Sequence, residues 1–349
     1  MKTALTTLLG IEHPIVLGAM AWVTDGKMVG AISKAGGLGT IGPNAGARVV
    51  TKDVKETGER LRKEIQIVRS ITDRPFAVNF VVGSAGLDKA FSERCIEVGI
   101  EEEVPVAVVS QGNPMIHTER LKKAGMKVIH VCAAVKHAQK AESIGVDAVV
   151  VSGTDGGGHS GFDQNTTFCL VPQVAEVVKI PIVAGGGVAH GRQLIGAMAL
   201  GAHGVYMGTR FIASTESPAH ENYKKALVDS WDGDTLAIRH GNVAQAGSGN
   251  RGFTGERRGS LRLIVNDKIR QVLVDHAGMI NYDMLMESYE PPLEEHGGSA
   301  TAASLIYGDS NRGFFAAGQG VGLIHDILPC KDIVANFMRQ AEEAKQQLT

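Results

Sequence analysis

Eight short apolar runs, each followed by an amphipathic stretch, constrain this chain more than any other feature. They are Ile15 to Gly18, Leu38 to Ile41, Phe76 to Val82, Val106 to Val109, Lys127 to Cys132, Ala148 to Ser152, Ile182 to Ala184 and Gly204 to Met207. Each run is continuous and rich in Val, Ile or Ala, the pattern of parallel strands buried on both faces. The segments between them, such as Val54 to Ile71 and Ala134 to Ser143, carry helical periodicity, and Gly125 and Gly145 close the turn before the next strand. The unit is βα, and eight copies predict an α/β fold of the (β/α)8 TIM-barrel type. An open doubly wound sheet is the competing arrangement, because periodicity alone does not distinguish closed from open.

The pattern changes after Ser217. From Trp231 to Ala300 the apolar runs cease, one amphipathic stretch covers Leu263 to Asp275, and Pro291 and Pro292 mark a turn. We therefore expect a barrel core over residues 1–220, a mostly helical insertion on the substrate side over 221–305, and C-terminal helices completing the barrel over 306–349. In the last of these, Lys331 to Leu348 places Ile333, Val334, Phe337, Met338 and Ala341 on one helical face.

Composition removes several function classes. Lys and Arg total 35 against 37 Asp and Glu, so no cationic excess exists to neutralise a nucleic-acid backbone. Cys95, Cys132, Cys169 and Cys330 are dispersed with no CxxC pair, which argues against a zinc knuckle or disulfide framework and fits a reduced, cytoplasmic setting. No apolar run reaches the ~18 residues of a membrane span, and no signal peptide is read. Metal binding is not expected, since no HExxH occurs and Asp155 with His159 falls in a glycine loop rather than on a helix. Glycine, at 44 of 349 residues, exceeds its usual share of ~7%, which points to chemistry that uses backbone rather than side chains.

In a barrel the active site lies at the carboxyl ends of the strands. Three loops there are unusual. Ala184-Gly-Gly-Gly-Val-Ala-His-Gly191 follows the seventh run and Met207-Gly-Thr-Arg210 the eighth, the paired position where barrels commonly hold a ligand phosphate. A Walker loop is excluded, since GxxxxGK[ST] does not occur. The GxGxxG spacings at Gly37 to Gly42 and Gly156 to Gly161 open no clear helix, so the phosphate is expected to belong to a flavin or a sugar phosphate rather than to a Rossmann dinucleotide. The third loop, Val151 to Gly161, sets His159 among glycines on a flexible backbone, a way to place an acid or base close to a flat ligand.

The stretches Gly18-Ala-Met-Ala-Trp-Val23, Ala35-Gly-Gly-Leu-Gly39, Asp73-Arg-Pro-Phe-Ala-Val-Asn79, Gly156-Gly-Gly-His159, Ala184-Gly-Gly-Gly187 and Met207-Gly-Thr-Arg-Phe211 resemble the nitronate monooxygenase family, formerly called 2-nitropropane dioxygenases. They are similar also to flavin-dependent enoyl-ACP reductase II enzymes and NAD(P)H:quinone reductases. The resemblance implies FMN. By motif position, the backbone of Ala19, Met20 and Ala21 would face the flavin ring, Asn79 would hydrogen-bond to it, and Ser152 and Gly157 would line its side. Gly186, Gly187, Met207, Gly208 and Thr209 would hold the phosphate, with Tyr206 beginning that segment, and His159 falls on the family's catalytic histidine. Gln111 and Gln319 are further candidates near the site. Three departures stand beside the substrate pocket: Ala19 where many relatives have glycine, Ser152 where glutamine is frequent, and Asp155-Gly156 in place of Glu-Ala.

The resemblance implies first an FMN-dependent oxidation of alkyl nitronates with O2. The alternative is an NAD(P)H-dependent enoyl-ACP or quinone reductase, for which Arg251, Arg257, Arg258 and Arg262 could receive a nucleotide phosphate or an acyl carrier protein. A non-catalytic flavin sensor is a third class, because fold does not secure activity. The insertion and the apolar final helix offer surface for a homodimer.

Overall fold

A computed structural model describes residues 1–49, 51–83, 85–240, 259–289 and 299–348. Its strands are β1 (Ile15–Leu17), β2 (Gly39–Ile41), β3 (Phe76–Val81), β4 (Val106–Ser110), β5 (Lys127–Cys132), β6 (Ala148–Ser152), β7 (Gly158–Ser160), β8 (Ile182–Gly185), β9 (Gly204–Met207), β10 (Thr235–Arg239) and β11 (Ser260–Ile264). The helices of the first half are α1 (Ala4–Leu9), α2 (Gly26–Lys34), α3 (Val54–Ile71), α4 (Gly86–Glu101), α5 (Met115–Lys123), α6 (Val135–Ile144) and α7 (Thr167–Ala175). Those of the second half are α8 (Gly191–Ala199), α9 (Thr209–Ile212), α10 (Glu221–Val228), α11 (Asp267–Asp275), α12 (Tyr282–Glu287), α13 (Ala300–Leu305) and α14 (Cys330–Gln346). None of the described helices is long and apolar enough to cross a membrane.

All eight apolar runs are strands, paired in parallel in the order β1-β9-β8-β6-β5-β4-β3-β2. The two end strands meet: Val16 bridges Leu38, with the Leu17 amide on the Leu38 carbonyl and the Leu38 amide on the Ile15 carbonyl, each at 2.8 Å. That seam makes the sheet a barrel rather than an open doubly wound sheet. Alternation along each strand then separates two cores. Val16, Leu38, Ala77, Val108, Ile129, Val150 and Val183 form a cluster with Leu5, Leu9 and Ile11, so α1 plugs the amino-terminal end of the barrel. Their chain neighbours, among them Leu17, Val78, Val109, Val149 and Ala184, pack outward against the helices.

The helix that follows the eighth barrel strand in space comes from the end of the chain. α14 packs on α8, where a Cβ on Gly191 would sit 2.1 Å from the Phe337 carbonyl oxygen and where the Gly191 amide donates to Gln340. Ile333, Val334, Phe337 and Ala341 are buried on its inner face, and Met338 is partly buried beside them.

Between β9 and α14 the expectation of a region without strands needs correction. β10 and β11 pair antiparallel, and β11 also pairs with β7, giving a second, three-stranded sheet. Ser260-Leu-Arg-Leu-Ile264 alternates with period two, Leu261 and Leu263 on one face and Arg262 on the other; the helix expected from Leu263 begins only at Asp267, behind the Asn266 cap. This sheet, α11, α12 and α13 share a core of their own that includes Ile238, Leu261, Leu263, Ile269, Leu285 and Phe314.

Candidate active site

The carboxyl ends of the barrel strands open into a cavity of about 910 Å³, roofed by the second sheet and the helices beyond it. Of the expected site residues, Ala19, Met20, Ala21, Asn79, Ser152, Gly157, His159, Gly186, Gly187, Tyr206, Gly208 and Thr209 all line it. Met207 does not, because alternation turns its side chain outward into the core, where it is 1% exposed. Gln111 lines the cavity, whereas Gln319 is absent from the lining and donates its amide to the Asp155 carbonyl at 2.8 Å.

One wall is backbone. Gly186 and Gly187 have φ of +108° and +69°, a conformation that a side chain would strain. Their loop is held by its carbonyls: Gly185 accepts from Thr167 Oγ1 at 2.7 Å and Gly187 from Gln193 Nε2 at 2.8 Å. Among the described residues no protein acceptor meets the amides of Gly186, Gly187, Gly208 or Thr209. Three of these four positions lack a Cβ, so no side chain shields the unpartnered N–H groups of this stretch of the lining. That arrangement suits an anion. The wall is braced from behind, since Thr209 Oγ1 accepts the Gly318 amide at 3.0 Å and a Cβ on Gly320 would lie 2.2 Å from the Gly187 carbonyl oxygen.

The floor carries polar groups from the tops of the strands. Asn79 donates to the Val108 carbonyl at 3.0 Å and to Ser110 Oγ at 3.1 Å, which fixes the amide against β4. Tyr206 Oη accepts the Ala19 amide at 2.8 Å, and Met20 donates its amide to Thr24 Oγ1 at 3.2 Å. The Ala19 and Met20 amides are therefore already engaged within the protein. Burial raises the Tyr206 phenol to about 12, so it is neutral in ordinary buffers.

His159 stands on β7, opposite Leu261 of β11. The flexible glycine loop expected around it is instead a sheet strand, pinned by Arg262. That arginine, next to Leu261, donates from Nε to the Thr154 carbonyl at 2.8 Å and from Nη1 to Thr235 Oγ1 at 3.1 Å. The expectation that Arg262 could receive a nucleotide phosphate or an acyl carrier protein is thus corrected: it is 7% exposed and committed to these partners, and Arg251, Arg257 and Arg258 lie outside the described residues. On the other side of the loop, both carboxylate oxygens of Asp155 accept the Thr167 amide at 3.0 Å. The His159 ring stacks on His240 with centroids 6.1 Å apart, and His240 in turn lies 4.2 Å from Tyr282. The His159 edge that faces the cavity is accessible, but the crowd of protein atoms around it lowers its pKa, and the positive charge that His240 can carry lowers it further. Both causes favour the neutral imidazole, the form able to accept a proton.

Beyond His159 the roof is largely apolar, with Ser299 and Thr301 among its polar members. Leu261, Leu263, Tyr282, Met286, Leu305 and Phe314 line this compartment. None was singled out from the sequence, because they come from segments distant in the chain; the alternation of Leu261 and Leu263 is the one signal that could have found two of them.

Three comparisons bear on this geometry. The profile of the nitronate monooxygenase family matches residues 2–340. A Rhodococcus jostii protein named (3aS,4S,5R,7aS)-5-hydroxy-7a-methyl-1-oxo-octahydro-1H-indene-4-carboxyl-CoA dehydrogenase is 33% identical, with 98% of this chain and 96% of that protein covered. A probable nitronate monooxygenase of Staphylococcus saprophyticus is also 33% identical, but over 68% of this chain and 75% of its own length. Among solved structures, FabK from Thermotoga maritima superposes with a TM-score of 0.81 at 36% identity, covering 100% of this chain and 98% of its own. Nitroalkane oxidase from Streptomyces ansochromogenes does so with a TM-score of 0.75 at 26% identity, covering 99% and 100%.

Proposed function

The chain belongs to the nitronate monooxygenase family of oxidoreductases, and on that footing we propose that it is an FMN-dependent enzyme acting at a carbon next to an electron-withdrawing group on a bulky apolar substrate. The observation that carries this reading is the order of features across one cavity: unpartnered amides on the β8–β9 side, a neutral imidazole, then an apolar compartment. A bound flavin would supply the two-electron chemistry, which no protein side chain here provides.

The residues have separate tasks. The Gly186, Gly187, Gly208 and Thr209 amides hold the phosphate. Tyr206 fixes the Ala19 backbone, and with it the loop that lines the ring. In the oxidative direction His159 Nδ1 or Nε2 takes the proton from the substrate carbon α to its activating group, and when an enoyl thioester is reduced the protonated ring returns a proton to that carbon. The same proton is acidic next to a nitro group and next to a thioester carbonyl, which explains how one scaffold serves relatives with such different names.

The apolar compartment favours a thioester with a large hydrocarbon body over a short nitroalkane. Burying that body removes apolar surface from water at ~25 cal/mol per Å², a contribution a small nitronate cannot make. The Rhodococcus relative, similar over almost the whole chain, is named for a fused-ring carboxyl-CoA substrate, and it supports this preference. Nitronate oxidation is the second reading, favoured by the family match and the Staphylococcus relatives. NAD(P)H enters only if the enzyme works as a reductase.

One set of titrations tests the reading. The yellow enzyme is mixed anaerobically with a saturated polycyclic acyl-CoA, with its enoyl counterpart plus NADH or NADPH, and, in air, with propionate 3-nitronate. Flavin bleaching by the acyl-CoA, or turnover of the enoyl thioester, is the expected result. Oxygen consumption with the nitronate and no response to any thioester would replace the first reading by the second. A colourless protein that binds no added FMN would overturn both.

A further inference from the structure

The cavity does not end at His159. Gly161, just past β7, packs on Ala133 so closely that a Cβ there would meet the Ala133 Cβ at 2.6 Å, and residues of the β4–α5 and β5–α6 turns line the cavity as well. His130, His137 and Lys140 line this lobe together with Gln111 and Asn113. Its chemistry differs from that of the roof. Lys140 forms no ion pair among the described residues, and Lys136 lies one turn before it on the same helix. α6 starts here with Ala134 as its cap and no side chain on the cap's amides, so the positive end of the helix opens into the lobe as well. His130 is 4% exposed and its Nδ1 has no hydrogen-bond partner. Burial first and Lys136 second lower the His137 pKa, and Asp163 opposes them; neither Lys136 nor Asp163 lines the cavity, so among the described residues Lys140 is the one lysine, arginine or carboxylate in the lining.

A thioester whose acyl body fills the apolar compartment must lead its carrier arm out past His159. Such an arm ends in phosphates. Resting on the thioester reading above, we infer that the lobe between the β4–α5 and β5–α6 turns is the binding groove for the phosphate-bearing nucleotide arm of a substrate or cosubstrate, with Lys140 as its cation. Coenzyme A and a nicotinamide dinucleotide phosphate both carry that group, and direct binding tells them apart.

The experiment measures dissociation constants by calorimetry on the flavin-loaded enzyme for coenzyme A, pantetheine, NADP+ and NAD+, using wild type, Lys140→Ala and Lys140→Arg. Lys140 is exposed and bears no structural contact, so its replacement leaves the fold intact. Lys140→Ala is expected to weaken coenzyme A about 3- to 10-fold, the span for one partly exposed charge pair, with pantetheine unchanged and Lys140→Arg close to wild type. The same loss on NADP+ relative to NAD+, with coenzyme A unaffected, would assign the groove to the nicotinamide cosubstrate and still support a phosphate site. Equal binding of every ligand by wild type and Lys140→Ala, or no binding of either phosphate-bearing ligand by wild type, would overturn the inference. These readouts require no turnover, so a failed thioester assay and a failed groove are separate results.

Discussion

Tyr206→Phe isolates one hydrogen bond at the centre of the site. The substitution keeps the ring and deletes Oη, which accepts the Ala19 amide at 2.8 Å. Ala19 lines the cavity, so in the protein without ligand water can replace the lost acceptor, and the cost is that of one ordinary net hydrogen bond, about 0.5–1.5 kcal/mol. An unfolding entropy of ~2.1 cal/mol/K per residue, taken over 349 residues, gives ~0.7 kcal/mol/K, so Tm falls by ~1–2 °C. On the proposed reading FMN covers the loop, which would exclude water and strand the amide at about 1–3 kcal/mol. The difference between the two states appears as weaker FMN binding, roughly 2- to 12-fold. Differential scanning calorimetry without FMN and fluorescence titration with it measure the two numbers. Unchanged FMN affinity would refute the argument that Tyr206 acts through the Ala19 backbone, and a fall in Tm well above 5 °C would show that the hydroxyl holds packing rather than one amide.

Variants at His159, His240 and Arg262 test the same geometry. His159 must be neutral to accept a proton, and both burial and His240 lower its pKa, so kcat/KM should be flat near pH 7 and decline only below the ordinary histidine range. His240→Ala removes one of the two lowering causes and should move that acid limb upward in pH, whereas His159→Gln should abolish the limb and cost about 10²- to 10⁴-fold with flavin retained; an unmoved limb in His240→Ala would sink the electrostatic part. Arg262→Ala leaves the Thr154 carbonyl without its donor and should destabilise the protein by about 2–4 kcal/mol in urea unfolding, with faster amide exchange over residues 158–160. Arg262→Lys, which keeps the charge but cannot reach both acceptors, should fall between, and exchange at 158–160 that does not change in either variant would contradict the pinning of β7.

The barrel was legible because its strands are buried on both faces, and such strands need uninterrupted apolar runs that nothing else in the chain imitates. The backbone wall was legible for a related reason: consecutive glycines such as Gly186 and Gly187 are costly except where φ is positive or a ligand comes close. β7 was not legible, since Gly158-His159-Ser160 has no apolar residue and owes its strand conformation to pairing with β11, far along the chain. Arg262 was misjudged on the same ground. A cluster of arginines in the sequence suggests cations open to an anionic ligand, but the partners that hold this one are a carbonyl and a hydroxyl from distant segments, which the local sequence does not register. The apolar compartment was also beyond reach, being assembled from Tyr282, Met286 and Phe314 only after the second sheet has formed.

Ser214 and Leu328 bridge in parallel, the Thr215 amide donates to Leu328, and the Cys330 amide donates to Glu216, so the long excursion that roofs the site leaves and rejoins the barrel at one stitched point. A detour whose two ends are already neighbours can lengthen, shrink or be exchanged at little entropic cost, and the barrel beneath is not asked to move. The barrel floor and the roof can therefore diverge at separate rates, and transplanting the roof of one homologue onto the base of another through this junction should transfer substrate preference, provided that Gly318 and Gly320, which brace the backbone wall, are kept.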